Sequence, residues 1–321
     1  MAEKSSKNKN EKKTRSKFAD VAIRLIKEKP LGTVGAVVTL FMLFVGIFAG
    51  WLAPHGMNEM FTSYVMVPPS AQFPFGTDNL GRDIFSRVIY GARISVIVGL
   101  TATFISVVIS TTIGVMCGYI GGKFDLIVQR FVDAFMCVPG LVLLMVIVSM
   151  VGPGMWQIII ILGIQGGIGG SRMMRGIVFG IKENTYLQAA LAIGDSTWII
   201  LTRHILPNIL APIIIIFSMN VPGTILAESG LSFLGFGIPP PNPSWGGMLS
   251  GDARTYMFQA PWMALWPGLA LSIMVYGVNM FGDAVRDLLD PRLRGGVGRY
   301  GVKVKRKDAA KSDPATHTTE R

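Results

Sequence analysis

Apolar residues in this chain run in long blocks, without the alternation of a half-buried strand or the polar stripe of a surface helix. Leu31 to Leu52, Ile94 to Ile120, Ile205 to Ala227 and Pro261 to Phe281 each carry no charged residue, and neither does the longer run from Ala134 to Ser171. A bilayer core of about 30 Å is crossed by about 20 apolar residues in helical form, because lipid offers no partner to an open backbone amide. Four blocks therefore predict one span each. The run from Ala134 to Ser171 is too long for one, and Gly152-Pro153-Gly154 cuts it where a turn is expected, giving two. The block from Ile205 to Ala227 contains Pro207, Pro212 and Pro222, so its helix must be kinked or interrupted. The pattern predicts an all-α polytopic membrane protein with six transmembrane helices.

Composition agrees. Half of the 321 residues are hydrophobic and only 15% are charged, against about a quarter charged in a soluble domain, and mean hydropathy is +0.50. The net charge of +11 is concentrated at the two ends of the chain. By the positive-inside rule both ends are cytoplasmic, which six spans allow. The resulting layout has a basic cytoplasmic segment at residues 1–30, a first helix at 31–52, an extracytoplasmic segment at 53–93, a transmembrane core at 94–284 and a basic cytoplasmic tail at 285–321. Within the core, a cytoplasmic loop lies at about 182–206 and a Gly/Pro-rich extracytoplasmic loop at about 228–260. Arg82, Arg87 and Arg93 on the outer side strain the charge rule, with Asp78 and Asp83 as partial offset. Basic ends can also hold nucleic acid or anionic lipid, but beside six spans they read as topology signals, and no nucleic-acid partner is expected. The first block is too long for a signal peptide and lacks a small-x-small cleavage site. Cys117 and Cys137 sit inside apolar runs with no ligand spacing and read as small core residues.

One stretch between spans four and five breaks the pattern: QAALAIGDSTWIILTRHILPN, Gln188 to Asn208. Asn184 or Thr185 can start a helix there, Tyr186 to Ile193 continues it with Ala189 and Ala190 side by side, and Gly194 suits a left-handed stop. Asp195 or Ser196 can cap a second helix that leads to Leu206-Pro207. A short helix bearing Ala, Leu and Tyr at a membrane surface has no lipid partner of its own and looks made to dock on another protein.

Ala189-Ala190, Gly194 and Leu206-Pro207 together resemble the EAA loop of ABC importer permeases, with Gln188 in place of the usual Glu and His204 in place of the usual Ile. RHILPN, Arg203 to Asn208, is similar to the form found in oligopeptide, dipeptide and nickel importers. FGTDNLGRDIFSRVIYGARIS (Phe75 to Ser95), LSFLGFGIPPPNPSWGGML (Leu231 to Leu249) and NMFGDAVRDLLDPRLR (Asn279 to Arg294) resemble other segments of the same subfamily, in particular its second, C-type permease. The resemblance implies a type I ABC importer permease fold in a bacterial or archaeal inner membrane and a substrate among oligopeptides, dipeptides or related solutes such as nickel. It implies as partners a second permease, two ATPase subunits and an extracytoplasmic solute-binding protein. Tyr186, Gln188, Ala189, Ala190, Gly194, His204, Leu206 and Pro207 would form the ATPase-coupling segment. ATP and Mg would be held by the ATPase subunits, and no cofactor or metal by this chain.

Nothing in the sequence suggests catalysis. Gly121-Gly122-Lys123-Phe124 lacks the spacing and hydroxyl of a P-loop, and no HExxH, GxSxG or clustered His and Cys occurs. Pro212 and Pro222 are candidate hinges and Gly166 to Gly170 a candidate close-packing segment. Glu228, an acid near lipid depth, is a gating candidate, or else pairs with an arginine or caps the loop. His204 is expected to pack at an interface, with Arg203 its only sequence neighbour of note. Asp133 and Asp283 are expected to pair with Arg130 and Arg286 at i,i+3 spacing. Arg82-Asp83 and Asp287-Asp290-Arg292 are expected to fix loops by charge-assisted bonds. Two other classes fit the spans alone: an ion-gradient-driven transporter or channel subunit, for which Glu228 speaks, and an anchoring protein working through its basic ends.

Overall fold

The computed structural model describes residues 24–289. The basic stretches at residues 1–23 and 290–321, with Asp290 and Arg292, lie outside the described residues. Among the described residues the chain is helical, with one isolated antiparallel bridge between Thr77 and Asp83.

Helix α1 is Pro30–Ile47, with proline in its first turn where no amide partner is needed, and Ala49–Leu52 continues it after a turn at Phe48. Arg93 donates to the carbonyls of Gly46 (2.9 Å) and Ile47 (3.0 Å), closing the end of α1 with a cation. Helix α2 is Ile84–Ile120, started by Asp83, whose carboxylate accepts from the amides of Phe85 (3.2 Å) and Ser86 (3.0 Å). At 37 residues it is about 55 Å long, more than the hydrocarbon core requires. The segment expected to be loop as far as Arg93 is therefore helical from Ile84, ten residues before the apolar block begins.

The largest departure from the six-span expectation falls in the middle. Gly121 and Gly122, both at positive φ, turn the chain into α3, Gly122–Met136. A break before Pro139 then bends it by 86° into α4, Gly140–Val151, because a proline ring disfavours helix at the residue before it. The expected third span is thus a 12-residue helix about 18 Å long preceded by a crosswise one. Helix α5, Met155–Lys182, begins at the expected Gly152-Pro153-Gly154 cut. It is long enough to cross, but Arg172, Arg175 and Lys182 lie in its second half. By length and composition, four helices of the described residues can cross a membrane, or five if the bent pair counts as one.

After α6, Thr185–Ile193, the chain passes through a short turn of helix at Thr197–Ile199 and a π-helical segment, Ile200–Ile205, into α7, Leu206–Phe233. The expected disruption at the prolines takes the form of this wide turn: the Leu206 amide reaches back to the Leu201 carbonyl just before Pro207, which has no amide to give. Pro212 and Pro222 lie inside a helix that runs on through both. Short helices Trp245–Leu249 and Gly251–Thr255 form a cap, and α8 is Trp262–Leu289.

Small residues let the helices close in, as association in lipid requires. A side chain at Gly163 or Gly167 of α5 would meet Ile105 or Ile109 of α2 at 2.6 Å, and one at Gly35 of α1 would meet Met280 of α8 at 2.6 Å. Ion pairs then fix the crosswise helix: Arg175 binds both oxygens of the Asp125 carboxylate at 2.5 Å, and Arg172 pairs with Asp133. The expected partner Arg130 is only the second neighbour of Asp133, at 4.0 Å. Among the described residues Asp283 and Arg286 form no ion pair, whereas Asp287 pairs with Lys29 at 2.5 Å and ties α8 to the start of α1.

Candidate functional site

Two constellations stand at opposite ends of α7. At its start, the Lys182 ammonium donates to the Tyr119 carbonyl (2.7 Å), joining the end of α5 to that of α2. Asn184 precedes α6 but its side chain makes no capping bond. Leu187 packs into a core cluster with Met174, Val178, Ile200, Ile205 and Ile209, and Ala190, three positions further on, is buried as well. Tyr186, Ala189 and Ile193 form the opposite stripe: Ala189 is exposed, Ile193 is 84% exposed, and nearby Trp198 is 73% exposed. Ala189 and Ala190, alike in the sequence, therefore do different things, one facing out and the other packing the helix onto its own chain. Gln188 is exposed, and no acidic side chain stands in its place.

Gly194 takes the left-handed conformation, φ 93 and ψ 22. Its amide donates to Leu191 and that of Asp195 to Ala190, both at 3.1 Å, the paired bonds of a Schellman stop. His204, expected to have no partner but Arg203, instead lies 3.2 Å through Nε2 from the Asp195 carboxylate and clips the π-helical segment to the glycine stop. Asp195 is therefore spent on this clip, and Ser196 accepts from the Ile199 amide at 3.5 Å. Leu206 and Pro207 are exposed at the start of α7. The structure gathers Tyr186 through Pro207 into one loop, while Pro212, Pro222 and Glu228 lie progressively further along α7.

At the far end, Glu228 is fully buried and no arginine among the described residues reaches it. The Ser232 hydroxyl donates to Oε1 (2.7 Å) and the Ser229 hydroxyl lies 3.3 Å from Oε2. Ser232 Oγ also accepts from the Ile238 amide and from Ser244 Oγ, each at 3.3 Å, and Ser244 starts the helix Trp245–Leu249. Of the alternatives for this acid, the loop-holding one matches the contacts. The three serines went unnoticed in the sequence, although Ser232 stands one helical turn beyond Glu228. The fully buried Trp245 ring donates through Nε1 to the Val88 carbonyl (3.0 Å), seating the cap on α2.

Beside this network a cavity of about 370 Å³ is lined by Asp78, Arg82, Arg87, Ser232, Ser244 and Asp252 among others. Asp78 pairs with Arg82 at 2.6 Å and lies 3.9 Å from Arg87, which also donates to the Met57 carbonyl (2.9 Å). Arg82 thus pairs with Asp78, not with the adjacent Asp83, which caps α2. All three arginines that strained the charge rule have structural partners.

A helical bundle whose apolar surface faces outward, with a short helix bearing an exposed apolar stripe at one end, is the build of a multi-pass membrane protein. Residues 110–295 match the family described as binding-protein-dependent transport system inner membrane component, and residues 17–69 match the N-terminal TM domain of oligopeptide transport permease C. The chain is 36% identical over 277 residues to the dipeptide transport system permease protein DppC of Bacillus subtilis, covering 86% of this chain and 87% of the relative. It is 38% identical over 273 residues to the glutathione transport system permease protein GsiD of Escherichia coli O6:K15:H31, covering 85% and 90%. A chain of the MetNI methionine ABC transporter, solved in inward-facing conformations, shares the fold with a TM-score of 0.51 at 17% identity over 64% of this chain and 96% of that one. These findings define the class, a permease subunit of an ABC transport system. The chain belongs to the family of binding-protein-dependent transport system inner membrane components.

Proposed function

We propose that this chain is one of the two permease subunits of an ATP-driven importer of peptides, and that α6 is the element through which ATPase subunits move it. Relatives named for dipeptide and glutathione transport support the substrate class. The observation that carries the coupling role is the division of α6 into a face anchored by Leu187 and Ala190 and a free face of Tyr186, Ala189 and Ile193. An exposed apolar stripe on a helix with a fixed C-terminal stop is what a partner groove receives. ATP and Mg belong to the ATPase subunits in this reading, and an extracytoplasmic binding protein delivers the solute.

Counting α5 as a crossing helix and the bent pair as another gives six spans with both ends in the cytoplasm of a bacterial cell, α6 on the cytoplasmic side and the Trp245 cap outside. Closure of the ATPase pair pulls on α6, the Asp195–His204 clip passes the motion to the π-helical segment, and α7 tilts, with Pro212 and Pro222 as bending points. Ala189→Asp tests the assignment: a charge forced into a packed contact costs several kcal/mol, so the ATPase subunits no longer co-purify and ATP-dependent peptide uptake stops. Retained ATPase and uptake in that variant would remove α6 from the coupling path.

A further inference from the structure

A second cavity, of about 500 Å³, opens between α2, α4, α5 and α7, and no charged residue among the described ones lines it. Asn220 and Gly169 sit at the midpoints of α7 and α5, so this trough lies at the depth of the bilayer centre when those helices cross. Its walls are mostly apolar, but four polar side chains, Ser106, Gln165, Asn220 and Thr224, break them. Ser106 is buried to 6% exposure, yet its hydroxyl has no hydrogen-bond partner among the described residues. The Asn220 amide is exposed and equally unpartnered, while Gln165 spends its Nε2 on the Gly140 carbonyl (2.8 Å) and keeps its oxygen free. Thr224 completes the row, its hydroxyl accepting from Thr103 at 3.0 Å. Free amide and hydroxyl groups at that depth are costly against lipid and belong to a cavity that admits water or solute.

The glycines say the same in a different way. Gly163 and Gly167 are filled by isoleucines of α2, but a side chain at Gly169 or Gly223 would meet nothing within 4 Å. Glycine inside a helix weakens it relative to alanine. Two glycines with open space, on two helices facing one trough, leave room for something this chain does not supply. The volume is that of a small-molecule pocket, well beyond the hole that takes one side chain of a neighbouring helix.

We infer that the trough lined by Ser106, Gln165, Gly169, Asn220, Gly223 and Thr224 is this chain's share of the translocation pathway and receives the main chain of a peptide in transit. The inference rests on the peptide-importer reading. Carboxamide and hydroxyl groups match the N–H and C=O of a peptide bond, and a wall without charge or deep side-chain pocket makes no demand on the peptide's side chains.

The test uses the complete transporter in proteoliposomes, with exposed Cys137 replaced by serine and buried Cys117 kept. A charged thiol reagent that works only in water is applied to Gly223→Cys and, as the control, to Leu226→Cys, an exposed apolar position outside the trough. Gly223→Cys should react about tenfold faster, and saturating peptide should slow it. Gly169→Leu should abolish peptide uptake while the complex assembles and hydrolyses ATP. Asn220→Ala should shrink the preference for a dipeptide over its ester analogue, which lacks the main-chain N–H, by about fivefold. Labelling no faster than the control in every nucleotide state, or loss of assembly in Gly169→Leu, would overturn the inference by making the trough a lipid or subunit contact, and an unchanged amide preference in Asn220→Ala would overturn its main-chain part. Absence of peptide uptake by an intact, ATP-hydrolysing wild-type complex would instead defeat the importer reading, whatever the thiols show.

Discussion

At the cap end of α7 a buried carboxylate is satisfied by serines of its own chain, whereas at the loop end Tyr186, Ile193 and Trp198 hold apolar surface in the open. Both ends carry residues that a sequence reader would mark as functional. The contacts separate them. Glu228 has its partners within the chain and holds a loop in place; the α6 stripe has none among the described residues, and in the coupling role proposed for it another subunit supplies them. Where a polar or apolar group finds its complement decides whether it is architecture or interface.

Six substitutions at five positions break or sharpen this contrast. The largest effect is expected from Trp245→Ala, which empties the seat of the cap and leaves the Val88 carbonyl unpaired, at a cost of about 3–5 kcal/mol read as a lowered Tm in detergent. Ala190→Asp comes next, since it buries a charge without a partner and should cost about 3 kcal/mol. Ala189→Asp, one position away and exposed, should leave the stability of the isolated permease within about 0.5 kcal/mol of wild type while coupling is lost. Equal loss of stability in the two variants would erase the inward and outward faces of α6. At the cap, Glu228→Ala should cost about 1–3 kcal/mol by stranding the Ser229 and Ser232 hydroxyls, with Glu228→Gln milder because its amide still accepts a bond. Ion-gradient dependence of transport that disappears in Glu228→Gln would return this acid to the gating role. A small shift, about 0–1 kcal/mol, is also expected for His204→Ala, whose clip to Asp195 is partly exposed. Its effect should be seen in the ratio of uptake to ATP hydrolysed.

The arginines at positions 82, 87 and 93 show how far the sequence could be taken. As counts they contradicted the expected topology. In the structure each is engaged, two with Asp78 and one with the end of α1, and a charge committed to a local partner is a poor witness to membrane orientation. The bend at Pro139 was legible in principle, because a proline in mid-block is a breaker wherever it stands. Reading the block by length alone merged what α3 and α4 divide. The pairings of Asp133 and Asp287 were not legible, since the winning partners, Arg172 and Lys29, are far away in sequence while the expected arginines were near.

The order of apolar blocks, the glycine stop at Gly194 and the motifs of the loop before α7 follow from the sequence alone, because each depends on a residue's own backbone freedom or solvent preference. Which alanine of the pair turns outward, what holds Glu228, and whether a glycine is packed like Gly167 or open like Gly169 were settled only by the tertiary structure. Those properties belong to the neighbour across the gap, and chain order does not say who that neighbour is.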